Sequence, residues 1–222
     1  MTRLKFALAS LLLASSLGAC ARSTTVSPAK PDVVAPAKQI DRAKLRAKLA
    51  ARRDLNIQRF LAYREGRVYP VSSTPGTTHL WFDEAGNLCA AATLISAEWG
   101  IEATMRVGEE DLNLRLADVK TGPLADWILM SGLTKHELVA IQAPMIGPGP
   151  GGGGDWRRQP ILVDAENERL YQLYTDVERQ IRSLADANLD LATDALMKRP
   201  DLARALLADQ LAGPGKFAVP VG

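Results

Sequence analysis

Apolar positions along this chain fall into separate blocks, and their spacing changes from block to block. Over 42–65, Leu45, Leu49, Arg52, Asn56, Phe60 and Tyr63 form one stripe at three-and-four spacing, with Leu55 and Leu61 beside it. Strong helix formers fill the gaps, and Asp41 stands where an N-cap belongs. "GRVYPVSSTPGTTH" then brings Gly66, Pro70, Pro75 and Gly76, a loop composition. Residues 79–82 predict a short strand. "DEAGN" predicts a turn, with Gly86 free to take positive φ. The alanine run after Cys89 favours a helix over 89–99. "EEDLNLRLADV" fits a second helix or a short strand, because its periodicity favours neither.

"GPLADWILMSGLTKHELVAIQ" carries the clearest local signals. Leu124, Trp127, Ile128 and Leu133 share one side of a short helix and its exit, and Gly132 suits the C′ position. Thr134 caps a second helix, with Glu137 placed for a capping box, and Leu138, Val139 and Ile141 give that helix its buried side. "GPGPGGGGDW" interrupts the pattern. Beyond it Leu170, Leu173, Tyr174, Val177, Ile181 and Leu184 restore helical spacing, and two shorter helices follow, broken at Pro200 and ended at Gly213. The predicted fold is mainly α: a small helical domain with a short strand-turn element near 79–90, plus a C-terminal helical hairpin. The expected divisions are 1–19 leader, 20–40 tether, 41–146 helical domain, 147–158 Gly/Pro-rich linker and 159–222 C-terminal helical segment.

The N-terminus changes the picture. Arg3 and Lys5 precede an apolar run over 6–17, about the length of a signal-peptide core and short for a membrane span. It ends in Leu17-Gly18-Ala19-Cys20, which resembles a bacterial lipobox, with Cys20 as the lipid attachment site. Several acyl chains on one terminus satisfy the need for more than one anchor. Ala21, where an aspartate would favour inner-membrane retention, favours the outer membrane, facing the periplasm. Loss of Arg3 and Lys5 with the leader takes Lys plus Arg from 27 to 25, against 25 Asp plus Glu, so bulk attraction to nucleic acid is not expected. Lipidation of Cys20 leaves Cys89 as the one remaining thiol, and no disulfide within the chain. Arg42, Lys44, Arg46, Lys48, Arg52, Arg53, Arg59 and Arg64 read as a solvated helix face, or as a surface for anionic headgroups near the anchor.

"WFDEAGNLCAAATLI", followed by "LADWILMSGLTKHELVAIQAP", resembles a family of exported bacterial proteins. Its pattern is Phe-x-Asp-x-x-Gly-x-x-Cys-Ala-x-Ala-x-Leu-Ile, then Trp-x-x-x-Ser-Gly-Leu-Thr-x-x-Glu-x-x-x-Ile-Gln. The matching positions are Asp83, Gly86, Cys89, Ala90, Ala92, Leu94 and Ile95, with Trp81 at the phenylalanine position and Phe82 beside it, then Trp127, Ser131, Gly132, Leu133, Thr134, Glu137, Ile141 and Gln142. "AYREGRVYP" resembles the segment upstream. The likeness covers about residues 55 to 144 and implies export without implying an activity. Where family members often carry histidine four residues after the cysteine, this chain has Thr93.

Three chemistries compete at the strand-turn element. A cysteine nucleophile needs a base, an orienting group and oxyanion donors, and Cys89, His79 and Asp83 are the candidates for a thiol-dependent hydrolase. His79, Asp83, Glu84 and Cys89 also include zinc-type ligands, without a compact paired motif, so the same element is a candidate small-ligand or metal site. The alternative is a turn with a core cysteine. "GPGPGGGGDW" lacks the Gly-Lys-Ser/Thr ending of a phosphate-binding loop. The Trp127–Ile141 corner lacks the basic second helix of a DNA reader: Lys135 and His136 are all it offers, and His136 is expected to face solvent. The leading expectation is a lipid-anchored envelope protein with a scaffolding or binding role, no cofactor, and an envelope protein as partner.

Overall fold

The computed structural model describes residues 39–147 and 160–208. The leader, Cys20, the tether up to Lys38, the rest of the Gly-rich segment and Gly213 lie outside the described residues. Among the described residues are eight helices and two very short strands: α1 Arg42–Gly66, β1 Thr77–Thr78, α2 Ala90–Trp99, α3 Ile101–Glu110, α4 Pro123–Met130, α5 Lys135–Ile141, β2 Met145–Ile146, α6 Pro160–Ser183, α7 Ala185–Met197 and α8 Pro200–Leu207. The protein is mainly α, as its sequence pattern predicts.

Helix α1 is the spine, packing against α2, α6, α7 and α8. Asp41 caps it, its Oδ1 accepting from the Ala43 and Lys44 amides at 3.0 and 3.1 Å. Its two halves serve different cores. Leu45 and Leu49 join Met130, Leu189, Leu196, Ala203 and Leu206. Ile57 and Phe60 join the larger cluster built on Trp81, Trp127, Tyr174 and the α2 alanines. The C-terminal helices thus complete both cores against α1. Leu184, expected on the buried stripe of α6, is exposed, because α6 ends at Ser183 and the chain turns there into α7.

The basic face of α1 is solvated only in part: Lys44 is exposed, while most of the arginines are engaged by acids of other helices. Arg53 is buried, and Arg52 and Arg59 both reach Glu98 at the end of α2. Arg64 pairs with Glu178 on α6, and Arg42 and Arg46 pair with Asp186, Asp190 and Asp194 of α7. These charges cross-link helices. The pairs with α7 lie near the surface, where solvent screens them, and each contributes little.

Three local expectations need correction. The strand lies at 77–78, paired antiparallel with 145–146, and 79–82 contributes only an isolated bridge between Phe82 and Leu88. "EEDLNLRLADV" is neither helix nor strand beyond Glu110. The helix precedes it, as α3, where Gly100 and Gly108 weaken the sequence signal. An added Cβ at Gly108 would sit 2.5 Å from the Trp81 and Phe82 rings, so this mid-helix glycine permits close packing. Helix α8 stops at Leu207, ahead of the expected glycine.

Candidate functional site

The element that holds Cys89 is a small closed loop. The Trp81 amide donates to the Leu112 carbonyl at 2.8 Å, and the Cys89 amide donates to the Trp81 carbonyl at 2.9 Å. Between them Asp83 organises the turn. Its Oδ1 accepts from the Ala85 and Asn87 amides, each at 2.9 Å. Its Oδ2 accepts from the Val71 amide at 3.0 Å and from the Asn87 side chain at 3.1 Å. Gly86 takes φ +82°, the conformation the turn needs. This buried carboxylate has four hydrogen-bond donors, all of them local structure.

Cys89 is the N-cap of α2, with its sulfur accepting from the Ala92 amide at 3.5 Å. It has no exposed surface, and Ala90, Ala91 and Ala92 around it have none either. Burial pushes its thiol up to about 11, against a lesser opposing effect of the amides of α2. Tyr63 and Tyr174 stand close by, both pushed up mainly by burial. His79 points elsewhere: its Nδ1 donates to the Gln142 carbonyl at 3.2 Å. No hydrogen bond joins Cys89, His79 and Asp83 to one another. Thr93, at the position where the resembled family often has histidine, donates its hydroxyl to the Cys89 carbonyl at 3.0 Å. Among the described residues, no group of three or more His, Cys, Asp or Glu side chains is placed to hold a metal ion, so His79, Asp83, Glu84 and Cys89 do not converge. His136 is exposed.

The second block of the resemblance, on α4 and α5, meets α1 through polar side chains. A helix end leaves carbonyls without intrahelical partners. At the end of α4, three successive ones are met from α1: Met130 by Arg52 at 2.6 Å, Ser131 by Asn56 at 2.9 Å, Gly132 by Arg53 at 3.3 Å. Gly132 takes φ +80°, and an added Cβ there would lie 2.3 Å from the Leu49 carbonyl oxygen. Thr134 and Glu137 form the expected capping box. The same Glu137 carboxylate also accepts from Arg53 at 2.9 and 2.6 Å and from Asn188 of α7 at 2.8 Å. Desolvation raises the Glu137 acid, but the hydrogen bonds from Arg53, the Thr134 amide and Asn188 outweigh it and hold the pKa below its ordinary value. Gln142 works similarly on the irregular segment: its Oε1 accepts from the Leu116 amide at 2.7 Å, and its Nε2 donates to the Leu114 carbonyl at 2.6 Å.

Compared with protein-family models, curated proteins and solved structures, the chain matches none. The site must therefore be read from its geometry.

One concave surface lies away from Cys89. A groove of about 510 Å³ runs between α4, the start of α5, and α7. Ile128, Leu129, Leu133, Leu191 and Ala195 line it, and Lys120, Lys135 and Arg199 stand at its edge. Leu191 is 61% exposed there, on a helix otherwise covered on its inner side by Leu189, Ala192 and Leu196. Its volume falls within the range of about 300–1,000 Å³ common for ligand clefts. Sequence reading missed this surface, because its walls are separated by some sixty residues. The traceable signals are Leu129 and Leu191, apolar residues set off the buried stripes of their helices.

Proposed function

We propose that this protein is a non-catalytic binding module tethered to the cell envelope through lipid on Cys20. The groove between α4 and α7 is its binding surface. The observation that carries the reading is the contrast between the sealed Cys89 element and the open α4–α7 groove. The side chains with chemical potential around Cys89 are engaged in holding a turn and a helix end, whereas the α4–α7 groove leaves Leu191 exposed and Leu129 half-buried. The resemblance to exported bacterial proteins agrees with the address, and its two blocks are the elements that pack α2 against α5. Among the described residues no helix is long and apolar enough to cross a membrane.

Two measurements test the reading. Labelled palmitate is expected to enter the protein and to be lost in Cys20→Ala, with release from the membrane fraction. In cells lacking the protein, Cys89→Ser is expected to restore the envelope phenotype and Ala195→Trp, which fills the groove, to fail. Full restoration by Ala195→Trp would remove the groove from the function.

A further inference from the structure

We infer that the α4–α7 groove takes a single-chain anionic amphiphile, a fatty-acid carboxylate, with its tail along Ile128, Leu129, Leu191 and Ala195 and its headgroup at Lys120 and Lys135. This rests on the binding reading above and names the ligand class for that surface.

The argument starts from charge. Three cations border the groove, but they are not equivalent. Arg199 is ion-paired with Asp126 and Asp201, at 3.1 and 3.0 Å, and is neutralised within the fold. Lys135 has no carboxylate partner among the described residues. Its ammonium donates to the Val119 carbonyl at 2.6 Å, a neutral group. An ammonium has three donors, so two remain for a ligand. Lys120, the residue after Val119, lines the same groove. Lys120 is exposed, and no ion pair reaches it among the described residues. Two lysines without an ion pair among the described residues therefore line one apolar groove.

The apolar part sets the other half of the ligand. Leu191 is exposed and Leu129 half-buried, and Ala195 keeps the wall low. Covering such a surface with hydrocarbon is favourable in proportion to the area removed from water. A ligand of only anionic character, such as inorganic phosphate, would leave this floor wet. A neutral or cationic amphiphile would leave the lysines unpaired. A fatty-acid carboxylate satisfies both. The proposed anchor holds the domain beside a lipid surface, which is a source of such molecules.

The test uses the purified full chain and dodecanoate below its micelle concentration, followed by calorimetric titration and by melting temperature. Saturable binding with a raised melting temperature is expected, because a ligand that binds only the folded state stabilises it. Dodecyltrimethylammonium should bind at least about tenfold more weakly, and so should dodecanoate to the Lys120→Gln/Lys135→Gln double variant, since a charge-assisted hydrogen bond is worth at least that factor. Ala195→Trp should abolish binding while keeping its helical circular dichroism. If that variant does not fold, Leu191→Glu, at an exposed position, should give the same loss. Absence of saturable binding to the unaltered chain overturns the proposal. So does binding that is indifferent to headgroup charge, or unchanged when the groove is filled. If dodecanoate fails but Ala195→Trp still abolishes function in cells, the ligand class is wrong and the binding reading stands. If dodecanoate binds in the groove and Ala195→Trp is fully functional, the ligand is right and the functional reading falls.

Discussion

Arg53 and Glu137 lie 84 residues apart and meet in the interior as a two-pronged ion pair, with side-chain exposures of only 4% and 3%. Arg53 comes from the middle of α1 and Glu137 from the first turn of α5. The guanidinium also donates to the Gly132 and Ile181 carbonyls, and the carboxylate also serves Thr134 and Asn188. One contact thus ties α1, the α4–α5 corner, α6 and α7 together, beside the wall of the proposed groove.

Breaking this pair from one side should be costly, because it leaves a buried charge alone. Arg53→Met is expected to lower unfolding free energy by about 3–5 kcal/mol in urea titrations. Arg53→Met combined with Glu137→Leu should recover part of that loss. A single variant within error of the unaltered protein would contradict the assigned role.

Acid should act through the same carboxylate. The folded pKa of Glu137 is depressed, so its stabilisation is fully present above the unfolded value of about 4.3 and is lost as pH falls through the folded one. Melting temperature should therefore drop below roughly pH 4. Glu137→Gln, already destabilised at neutral pH, should show a shallower acid slope. Glu178 and Asp190, also depressed, add to the drop in both proteins, so the difference between the two curves is the quantity to measure.

Two glycines separate close packing from conformational strain. Gly86→Ala meets nothing within 4 Å and should cost only the positive-φ strain, about 1–2 kcal/mol. Gly132→Ala adds a Cβ against the α1 backbone, and overpacking of about 1–3 kcal/mol joins that strain. Thermal melts of the pair should rank Gly132→Ala well below Gly86→Ala.

Cys89 should behave as core. With the thiol raised to about 11 by burial, almost no thiolate exists at pH 7.5. Iodoacetamide should label the folded protein hardly at all and the denatured protein fully. Cys89→Ser keeps an N-cap oxygen for the Ala92 amide and should lie within about 1 kcal/mol of the parent. Rapid labelling in the folded state would revive the nucleophile reading.

Much of the scaffold was legible before any coordinates. Asp41, the Asp83–Gly86 turn, Gly132 at a helix exit and the Thr134–Glu137 box are short-range patterns, and each is present. The Cys89 helix begins within one residue of its expected start. Elsewhere the local pattern pointed wrongly. "EEDLNLRLADV" carries helix formers, yet after Glu110 its backbone groups bond to Gln142 from α5's end. The short strand is placed by its partner at 145–146, not by its own composition. The basic run of α1 looked like a solvated face, because like charges on one helix say nothing of acids on α2, α6 and α7.

What the amino-acid sequence determined by itself, then, are the helices other than α3, the caps at Asp41 and Thr134, the turn at Asp83 and the mainly helical class. These depend on side chains a few residues from the backbone groups they satisfy, where closing the contact costs little chain entropy. Only the tertiary structure decided that Glu137 answers Arg53 as well as its own helix, that Cys89 is sealed, and that α4 and α7 leave a groove between them. Those outcomes depend on which distant surfaces meet, and on burial that makes an unpaired charge costly there. The spacing of residues along the chain does not encode that.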